Sequence, residues 1–283
     1  MRVALYGHGH MGRHHARLLA PRVRTLVVID PAQGAYGDGD RSFDAAIVAT
    51  PTPTHAEVAL PLLRAGVPCL IEKPLATSLE DAVALAGFPH LAVGHVERFN
   101  PTLAPLRGVS PRFVQADRVG RPRDRGLDVD VVLDLMIHDL DLFMHMCATN
   151  SCSSQEIEVR ANGIGVTNPG VVDIAHARLE TSDGRVGLFT ASRLARGETR
   201  RLRVFAEGAY WSLDLRERAV TRVRWDGALH EETVPVEPRD ALADELDAFL
   251  AAARGEAPFT PSGAEGLAAL ALALRVRDAM AVA

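Results

Sequence analysis

The sequence has few cysteines, a small net charge and no long apolar segment, and each absence narrows its class. Its three cysteines, Cys69, Cys147 and Cys152, form neither a CxxC motif nor a paired framework, so a reduced, cytoplasmic protein is expected. The formal net charge of -5 creates no field that would attract nucleic acid or an anionic membrane surface. No apolar run is long enough to cross a bilayer, and a strand predicted at residues 2–6 leaves no room for a signal peptide.

The first hundred residues alternate between short apolar runs and helical patterns. The apolar runs are nearly continuous, as in strands covered on both faces, and occupy residues 3–6, 23–29, 45–49, 69–71 and 91–93. Helical patterns separate them at residues 12–19, 55–65 and 79–86. This alternation predicts an α/β fold with a doubly wound parallel sheet, a Rossmann domain at residues 1–98. Residues 31–43 look too few and too polar for a full crossover helix, so that crossover is expected to be trimmed.

The pattern changes after this first domain. Predicted strands, separated by Gly, Asn and Asp turns, occupy residues 112–119, 157–166, 172–180, 186–193, 202–206, 210–215 and 219–225. Predicted helices occupy residues 130–146, 240–253 and 263–281. Runs of strands with few helices between them indicate a C-terminal α+β domain on an antiparallel sheet, at residues 99–283. The last of these helices is the segment that could pack back on the first domain.

A glycine-rich motif, GHGHMG at residues 7–12, follows the first predicted strand and opens the first predicted helix. Glycines there permit a tight turn and let a pyrophosphate approach the helix N-terminus. Asp30 ends the second strand at the spacing of an acid that accepts both ribose hydroxyls and repels a 2′-phosphate, so the motif predicts NAD rather than NADP. The histidines in or just after the motif are His8, His10, His14 and His15. Because no acids lie at a useful spacing from them, we interpret them as helix-start polar residues and predict no metal site.

Two further motifs carry groups that can move a proton. Asp134 and His138 are four residues apart on a predicted helix, on one face and one turn apart, so the carboxylate can orient the imidazole. Lys73 lies at the end of a buried strand and precedes a proline, which makes it a cation on rigid backbone. Together with the dinucleotide motif, these groups indicate a nicotinamide enzyme that removes a hydride and a proton from an alcohol. An ordinary surface Asp–His pair is the alternative for the helix.

Other polar residues are candidates for binding. Residues 50–55, with Thr54 as a possible helix N-cap, follow the third strand at the carboxyl edge of the sheet, where such sheets bind ligands. Arginine forks suit bidentate recognition of phosphate, although a solvated basic loop is the alternative. The arginines of one turn-rich segment are Arg118, Arg121, Arg123 and Arg125. Arg193 leaves a predicted strand as a similar candidate. Arg98 and Asn100 lie at the domain junction, where they could bind a substrate or hold the hinge.

These motifs resemble, in order, those of the Gfo/Idh/MocA family, which includes glucose-fructose oxidoreductase and inositol dehydrogenase. The resemblance covers essentially the whole chain through the glycine motif, residues 50–55, residues 72–74, residues 94–101, and Asp134 with His138. It implies a Rossmann domain followed by an open-faced antiparallel sheet that binds the substrate and mediates homo-oligomerisation, as a dimer or tetramer. It also implies that Lys73 and His138 are the catalytic pair, that Asp134 supports His138, and that the Lys73–Pro74 peptide is cis.

The chemistry implied by the resemblance assigns a role to each candidate. Hydride leaves the carbinol carbon for nicotinamide, His138 accepts the hydroxyl proton, and Lys73 stabilises the charge that develops on the oxygen. The implied cofactor-binding residues are Gly7, Gly9, His10, Met11, Gly12, Asp30, Thr50, Pro51, His55, Glu72 and Lys73. The candidate substrate-binding residues are Arg98, Asn100, Arg121, Arg125 and Arg193.

Within the family, residues 97–101, 131–141, 190–193 and 200–205 are similar to bacterial UDP-N-acetylglucosamine 3-dehydrogenases. This likeness implies oxidation of the sugar 3-hydroxyl, followed by a partner aminotransferase. Asp130 stands where a glycine is expected, which leaves the exact sugar open. The alternatives are a dehydrogenase of a free sugar or cyclitol and a non-catalytic NAD-binding regulator. The presence of both Lys73 and His138 favours an enzyme.

Overall fold

The computed structural model describes residues 1–30, 42–121, 130–147, 156–167 and 171–282. Most of the segment expected to be a trimmed crossover, and both Arg123 and Arg125, lie outside the described residues. The chain divides into two units, Met1–Phe99 with Asp240–Leu270 and Asn100–Arg239 with Ala271–Ala283. Among the described residues, no helix has both the length and the apolar character needed to cross a membrane.

A parallel sheet forms the centre of the first unit. Within the described part of the chain it has five strands in the order β2-β1-β3-β4-β5, and all paired neighbours are parallel. The strands are β1 Arg2–Tyr6, β2 Thr25–Ile29, β3 Ala45–Val48, β4 Cys69–Glu72 and β5 Leu91–Gly94. The helices between these strands along the chain are α1 His10–Leu19, α2 His55–Arg64 and α3 Leu79–Ala86. Every residue of β3, β4 and β5 is buried, as in a sheet covered on both faces, and the predicted doubly wound parallel sheet is confirmed.

Two C-terminal helices also contribute to this unit, α5 Ala241–Ala253 and the first turns of α6 Gly263–Asp278. Leu246 and Phe249 of α5 belong to the same hydrophobic core as the residues of β1 and α1. A Cβ added at Gly266 of α6 would lie 2.4 Å from a methyl carbon of Val93, so this helix packs directly on β5.

The division expected from the sequence, residues 1–98 and 99–283, therefore differs from the division in the structure. Residues 240–270 belong with the first unit because their apolar side chains cover its sheet. The sequence indicates such a return only for residues 263–281 and gives no indication of it for α5.

A mixed, mainly antiparallel sheet forms the second unit. Among the described residues it has nine strands in the order β13-β12-β11-β10-β6-β9-β8-β7-β14. The strands are β6 Phe113–Val119, β7 Glu158–Ile164, β8 Ile174–Glu180, β9 Val186–Ser192, β10 Thr199–Ala206, β11 Ala209–Asp214, β12 Ala219–Trp225, β13 Leu229–Val234 and β14 Met280–Val282. Neighbours are antiparallel except β6 with β9 and β7 with β14. The predicted antiparallel domain is confirmed, whereas β13 was missed because its largely exposed residues lack an apolar alternation. The helix predicted at residues 263–281 is too long, because α6 ends at Asp278 and β14 follows it.

Candidate functional site

The glycine motif forms a close turn between β1 and α1. Gly7 has φ +89°, and a Cβ added there would lie 2.5 Å from the carbonyl oxygen of Ala49. A Cβ at Gly12 would lie 2.0 Å from the carbonyl oxygen of Gly7. A Cβ at Gly9 would meet nothing within 4 Å, and no side chain caps α1 at this residue. The motif therefore combines two positions that only glycine fits with open space at a helix N-terminus, where backbone N–H groups attract an anion.

Asp30 and the turn after β3 lie beside this motif. The Asp30 carboxylate accepts a hydrogen bond from the backbone N–H of His8, so it faces the glycine turn. The Thr54 hydroxyl donates to Thr50 Oγ1 at 2.9 Å and to Pro51 O at 2.8 Å. It makes no hydrogen bond to a backbone N–H of α2, so Thr54 does not act as the side-chain cap that the sequence suggested.

His55, expected to contact a cofactor, is enclosed by backbone carbonyls. Its Nε2 lies 3.0 Å from Thr50 O, its Nδ1 lies 3.1 Å from Pro74 O, and the residue is 1% exposed. Burial lowers the pKa of His55, although the nearby carbonyls oppose that shift. The ring thus joins the turn after β3 to the segment after β4, and its side chain supports the loop that carries Lys73.

Lys73 follows β4, and its peptide bond to Pro74 is cis. The residue is partly exposed, whereas Glu72 before it and Leu75 after it are buried. Of the 31 basic residues in the chain, Lys73 is the only lysine, and all others are arginines. A single lysine among arginines marks Lys73 as a candidate functional residue, since an ammonium and a guanidinium are not chemically interchangeable.

Glu72 makes a buried contact with His15 on α1. His15 is 0% exposed, and its Nε2 lies 2.6 Å from Glu72 Oε1. His15, expected to be a polar residue at a helix start, is instead buried against the last residue of β4. The Glu72 carboxylate, expected at the cofactor, is likewise directed toward α1.

The predicted helix with Asp134 and His138 begins with an unusual turn. Residues Val132–Met136 form a π-helical turn, and α4 continues from Ile137 to Cys147. Asp130, at the position where glycine was expected, caps this start: its Oδ1 accepts from the N–H groups of Val132 and Leu133 at 2.9 and 3.1 Å. Asp134 therefore lies in a wider turn than an α-helix has, and π-turns of this kind recur at functional sites.

Asp134 and His138 are both partly exposed on this helix. Their neighbours Met136, Ile137 and Leu140 are completely buried. The two polar side chains thus remain partly accessible next to fully buried apolar residues of the same element.

Arg118, one of the arginines considered for phosphate, is instead buried against the same helix. Its Nε donates to Asp139 Oδ2 at 2.9 Å and its Nη2 donates to Oδ1 at 2.8 Å. Each side chain is 4% exposed. This bidentate pair fixes α4 to β6 at the residue after His138, which is a structural role.

The remaining substrate candidates have defined contacts. Arg98 donates to Glu265 at 2.6 Å, and Asn100 accepts from the N–H of Thr102 and donates to Leu215 O. Arg193 is 8% exposed and lies 3.9 Å from the carboxylate of Asp173. Arg121 is exposed and donates from Nε to Arg196 O at 2.7 Å. Arg125 lies outside the described residues. Among the described candidates, Arg121 is the one whose side chain is open to solvent.

Comparison with known proteins bears on this arrangement. Two family profiles match the chain: "Oxidoreductase family, NAD-binding Rossmann fold" at residues 35–88 and "GFO/IDH/MocA C-terminal domain" at residues 106–211. A UDP-N-acetylglucosamine 3-dehydrogenase from Acidithiobacillus ferrooxidans is 35% identical over 310 aligned residues, which cover 99% of this chain and 97% of that protein. This chain belongs to the Gfo/Idh/MocA family.

Other members of the Gfo/Idh/MocA family extend the comparison. The solved structure of the Acidithiobacillus ferrooxidans 3-dehydrogenase superposes with a TM-score of 0.88 at 34% identity, covering 99% of this chain and 97% of that one. An inositol 2-dehydrogenase from Rhizobium meliloti is 27% identical and covers 96% of this chain and 94% of that protein. As a Gfo/Idh/MocA protein, the chain is an oxidoreductase with a Rossmann domain for a nicotinamide cofactor.

The residues present fit such a cofactor. The open space at Gly9 and the uncapped start of α1 suit a pyrophosphate, and Asp30 faces the same turn. Within the described residues, no group of three or more histidines, cysteines or acids could hold a metal ion.

Proposed function

We propose that this protein oxidises the 3-hydroxyl of UDP-N-acetylglucosamine, or of a related nucleotide sugar, to a ketone with NAD as the hydride acceptor. The observation that carries the proposal is the 35% identity to a UDP-N-acetylglucosamine 3-dehydrogenase over 99% of this chain and 97% of that protein. An inositol 2-dehydrogenase matches at 27%, so a dehydrogenase of a free sugar or cyclitol is the second candidate.

The catalytic assignment gives one role to each of three residues. Bound NAD would supply a nicotinamide ring that accepts hydride. His138 accepts the hydroxyl proton, because an imidazole exchanges a proton near neutral pH, and Asp134 holds the ring and stabilises the imidazolium. Lys73 donates a hydrogen bond to the same oxygen and stabilises its developing negative charge. The partial exposure of Asp134, His138 and Lys73 supports this assignment.

The cofactor assignment rests on the turn after β1. We assign the pyrophosphate to the backbone of the glycine motif and the adenosine ribose to Asp30, whose charge disfavours a 2′-phosphate and therefore NADP. Thr50 and Pro51 line the neighbouring turn, and His55 supports that turn through its buried contact with Thr50 O. Glu72 contacts His15 on α1 instead. The motif residues concerned are Gly7, Gly9, His10, Met11 and Gly12.

The substrate assignment rests on arginine chemistry. We assign the diphosphate of the nucleotide sugar to Arg121, which is exposed, and to Arg125. The buried contacts of Arg98, Asn100 and Arg193 favour a supporting role, in which they hold the backbone around the site.

The assembly assignment follows the family resemblance. We propose a homo-oligomer, a dimer or tetramer, formed through the sheet of the second unit, acting in the cytoplasm upstream of an aminotransferase that uses the ketone. Light scattering on the purified protein tests the oligomer, and a monomer at micromolar concentration would contradict it.

A substrate panel tests the function. Purified protein would be incubated with NAD and either UDP-N-acetylglucosamine, free N-acetylglucosamine or myo-inositol, and NADH formation followed by absorbance, with hydroxylamine added to trap a ketone. NADH and an oxime of the nucleotide sugar are expected only with the UDP-sugar. Turnover of myo-inositol with none of the UDP-sugar would favour the second candidate. The His138→Ala variant serves as the inactive control.

A further inference from the structure

The only lysine of the chain is adjacent to a buried polar cluster that the proposed mechanism does not use. We define the buried cluster as His15 on α1, Glu72 on β4 and Glu245 on α5, whose exposures are 0%, 8% and 1%. Ionisable groups taken out of water normally destabilise a fold unless they are paired. Three of them beside Lys73 therefore call for a physical role.

The position of Glu72 links the buried cluster to Lys73. Glu72 is the last residue of β4 and Lys73 follows it, so their side chains leave the strand end on opposite sides. Glu72 pairs in register with Gly94 of β5, and a Cβ added at Gly94 would lie 3.2 Å from Glu72 Oε2. The absence of a side chain at Gly94 thus leaves room for the Glu72 carboxylate. Whatever fixes that carboxylate also fixes the backbone from which Lys73 starts.

His15 is the group that fixes it. Its Nε2 lies 2.6 Å from Glu72 Oε1, and its Nδ1 has no hydrogen-bond partner among the described residues. The carboxylate next to Nε2 is an acceptor only, so the N–H of this hydrogen bond belongs to Nε2 in both the neutral and the charged ring. His15 therefore donates to Glu72.

The charges within the buried cluster are unequal. Burial raises the pKa of Glu72, but the hydrogen bond and charge of His15, with smaller contributions from Lys73 and His55, hold that pKa below its ordinary value. Burial and the charge of Glu72 raise the pKa of Glu245 well above its ordinary value. At neutral pH, Glu72 is therefore a carboxylate, whereas Glu245 keeps its proton to a higher pH than an ordinary glutamate does.

We propose that His15 is a positioning residue for Lys73: its Nε2–H holds the Glu72 carboxylate in place, and Glu72 thereby fixes the strand end from which the Lys73 side chain extends to the reacting oxygen. Lysine is retained here, in a chain that otherwise uses only arginine, because a compact ammonium on a flexible stem is a point donor that a planar guanidinium cannot replace. The role at the oxygen rests on the proposed function. The state of Lys73 can nevertheless be measured without any sugar.

The first measurement uses the single lysine. A lysine-selective acylating reagent has two amine targets in this chain, the Lys73 ε-amine and the N-terminal amine, which serves as the internal reference. Glu72→Gln should change the labelling rate of Lys73 relative to that of the N-terminal amine, because the strand end from which the lysine side chain starts is no longer held by the charged hydrogen bond to His15. His15→Phe should change the rate in the same direction, because it removes the donor of that bond.

The second measurement is kinetic. Glu72→Gln and His15→Phe should lower kcat with NAD and UDP-N-acetylglucosamine by about 10- to 100-fold, the effect of a misplaced catalytic group. The Kd for NAD should stay at the wild-type value, because neither side chain faces the cofactor turn. His15→Gln should restore both kcat and the labelling rate, since its amide nitrogen can donate from the position of Nε2.

Glu245→Gln is the matched control. It has the same shape and burial as the wild-type side chain and leaves the hydrogen bond between His15 and Glu72 in place, so labelling and kcat should equal the wild-type values. Thermal unfolding of each variant shows that it is folded.

The outcomes separate the inference from its alternatives. Wild-type labelling and kcat in folded His15→Phe and Glu72→Gln would overturn it, as would an equal effect of Glu245→Gln. A rise in the Kd for NAD as large as the fall in kcat would assign the pair to the cofactor turn and overturn it as well. If the wild-type protein oxidises none of the sugars tested, the proposed function fails, and the labelling series alone decides the role of His15.

Discussion

The buried ion pair between Arg118 and Asp139 predicts a large loss of stability in the Asp139→Asn variant. Two hydrogen bonds, at 2.9 and 2.8 Å, join side chains that are each 4% exposed. Asparagine keeps one oxygen acceptor but places an amide N–H against the guanidinium, so one bond is lost and a buried charge loses its bidentate partner. Breaking a buried pair in this way costs about 3–5 kcal/mol in free energy of unfolding. That is a large share of the roughly 5–15 kcal/mol that stabilises a typical protein.

The double variant Arg118→Met with Asp139→Leu tests whether an uncompensated charge causes the loss of stability. It removes both charges and fills a similar volume with apolar atoms, and such replacements are often neutral or stabilising. We therefore expect the double variant to be more stable than Asp139→Asn alone. Adding the single variants Arg118→Met and Asp139→Leu completes a double-mutant cycle, which measures the coupling of the two side chains.

Tryptophan fluorescence is the suitable assay for this pair. The chain has two tryptophans, Trp211 and Trp225, and both lie in the second unit with the ion pair. Urea unfolding followed by this signal reports on that unit, and an unchanged m-value would show that the midpoint reflects stability alone. Glu158→Gln, which breaks an exposed pair with Arg160 on the same sheet, is the control and should leave the midpoint unchanged.

Two results would refute the reasoning. A change in Asp139→Asn of less than about 0.5 kcal/mol would be that of an ordinary surface position and would mean that the pair is solvated. A double variant as unstable as the single one would show that packing, not the uncompensated charge, is responsible for the loss.

Four further predictions address the cofactor, the substrate, the proton and the buried acid. Asp30→Ala should weaken NAD binding about ten-fold or more, because it removes charged hydrogen bonds worth roughly 1.5–3 kcal/mol. It should also reduce the ratio of the affinity for NAD to that for NADP, and titration of both cofactors measures this. Arg121→Ala should raise the KM for UDP-N-acetylglucosamine far more than it lowers kcat, and free UDP should compete in the wild type; no competition by UDP would argue for a free sugar. His138→Ala should lower kcat by about 10²–10⁴-fold with little change in NAD affinity, and the residual rate should rise with pH as hydroxide replaces the base; normal turnover in a folded variant would exclude the mechanism. The raised pKa of Glu245 means that the folded state keeps a proton that the unfolded state releases above about pH 4.5, so stability falls as pH rises from there. Glu245→Gln should therefore equal the wild type below that pH and become more stable above it, by up to about 1.4 kcal/mol per pH unit; a pH-independent difference in thermal unfolding would contradict the assignment.

The parts of the fold that could be predicted are those written in local patterns. The strands of the parallel sheet are nearly continuous apolar runs, and the glycine motif lies where β1 gives way to α1, so position and type were both readable. The return of α5 to the first unit was not readable in this way. The apolar stripe of α5 predicts that the helix packs against a sheet, but not which of the two sheets. That contact joins residues more than two hundred positions apart, so no local pattern indicates it.

The candidate residues of the site could also be named from local sequence patterns, whereas their local backbone geometry could not. Lys73, His138 and Asp30 were named from motif and spacing, and the structure leaves each at least partly exposed. The π-helical turn before α4 could not be foreseen, since it depends on how the helix start packs and not on the four-residue spacing of Asp134 and His138.

The two misjudged polar residues share a signal that was present in the sequence. His15 falls on the buried stripe of α1, at helical spacing from Gly12, Leu18 and Leu19, whereas His10 and His14 fall on the exposed side. Arg118 falls on the buried register of β6, which alternates strictly between partly buried and buried positions. A polar group on an apolar register must have a buried partner, because an unpaired one would cost several kcal/mol. That rule would have predicted a buried ion-pair partner for Arg118 instead of a phosphate. It would also have predicted a buried contact between His15 and the strand that precedes Lys73.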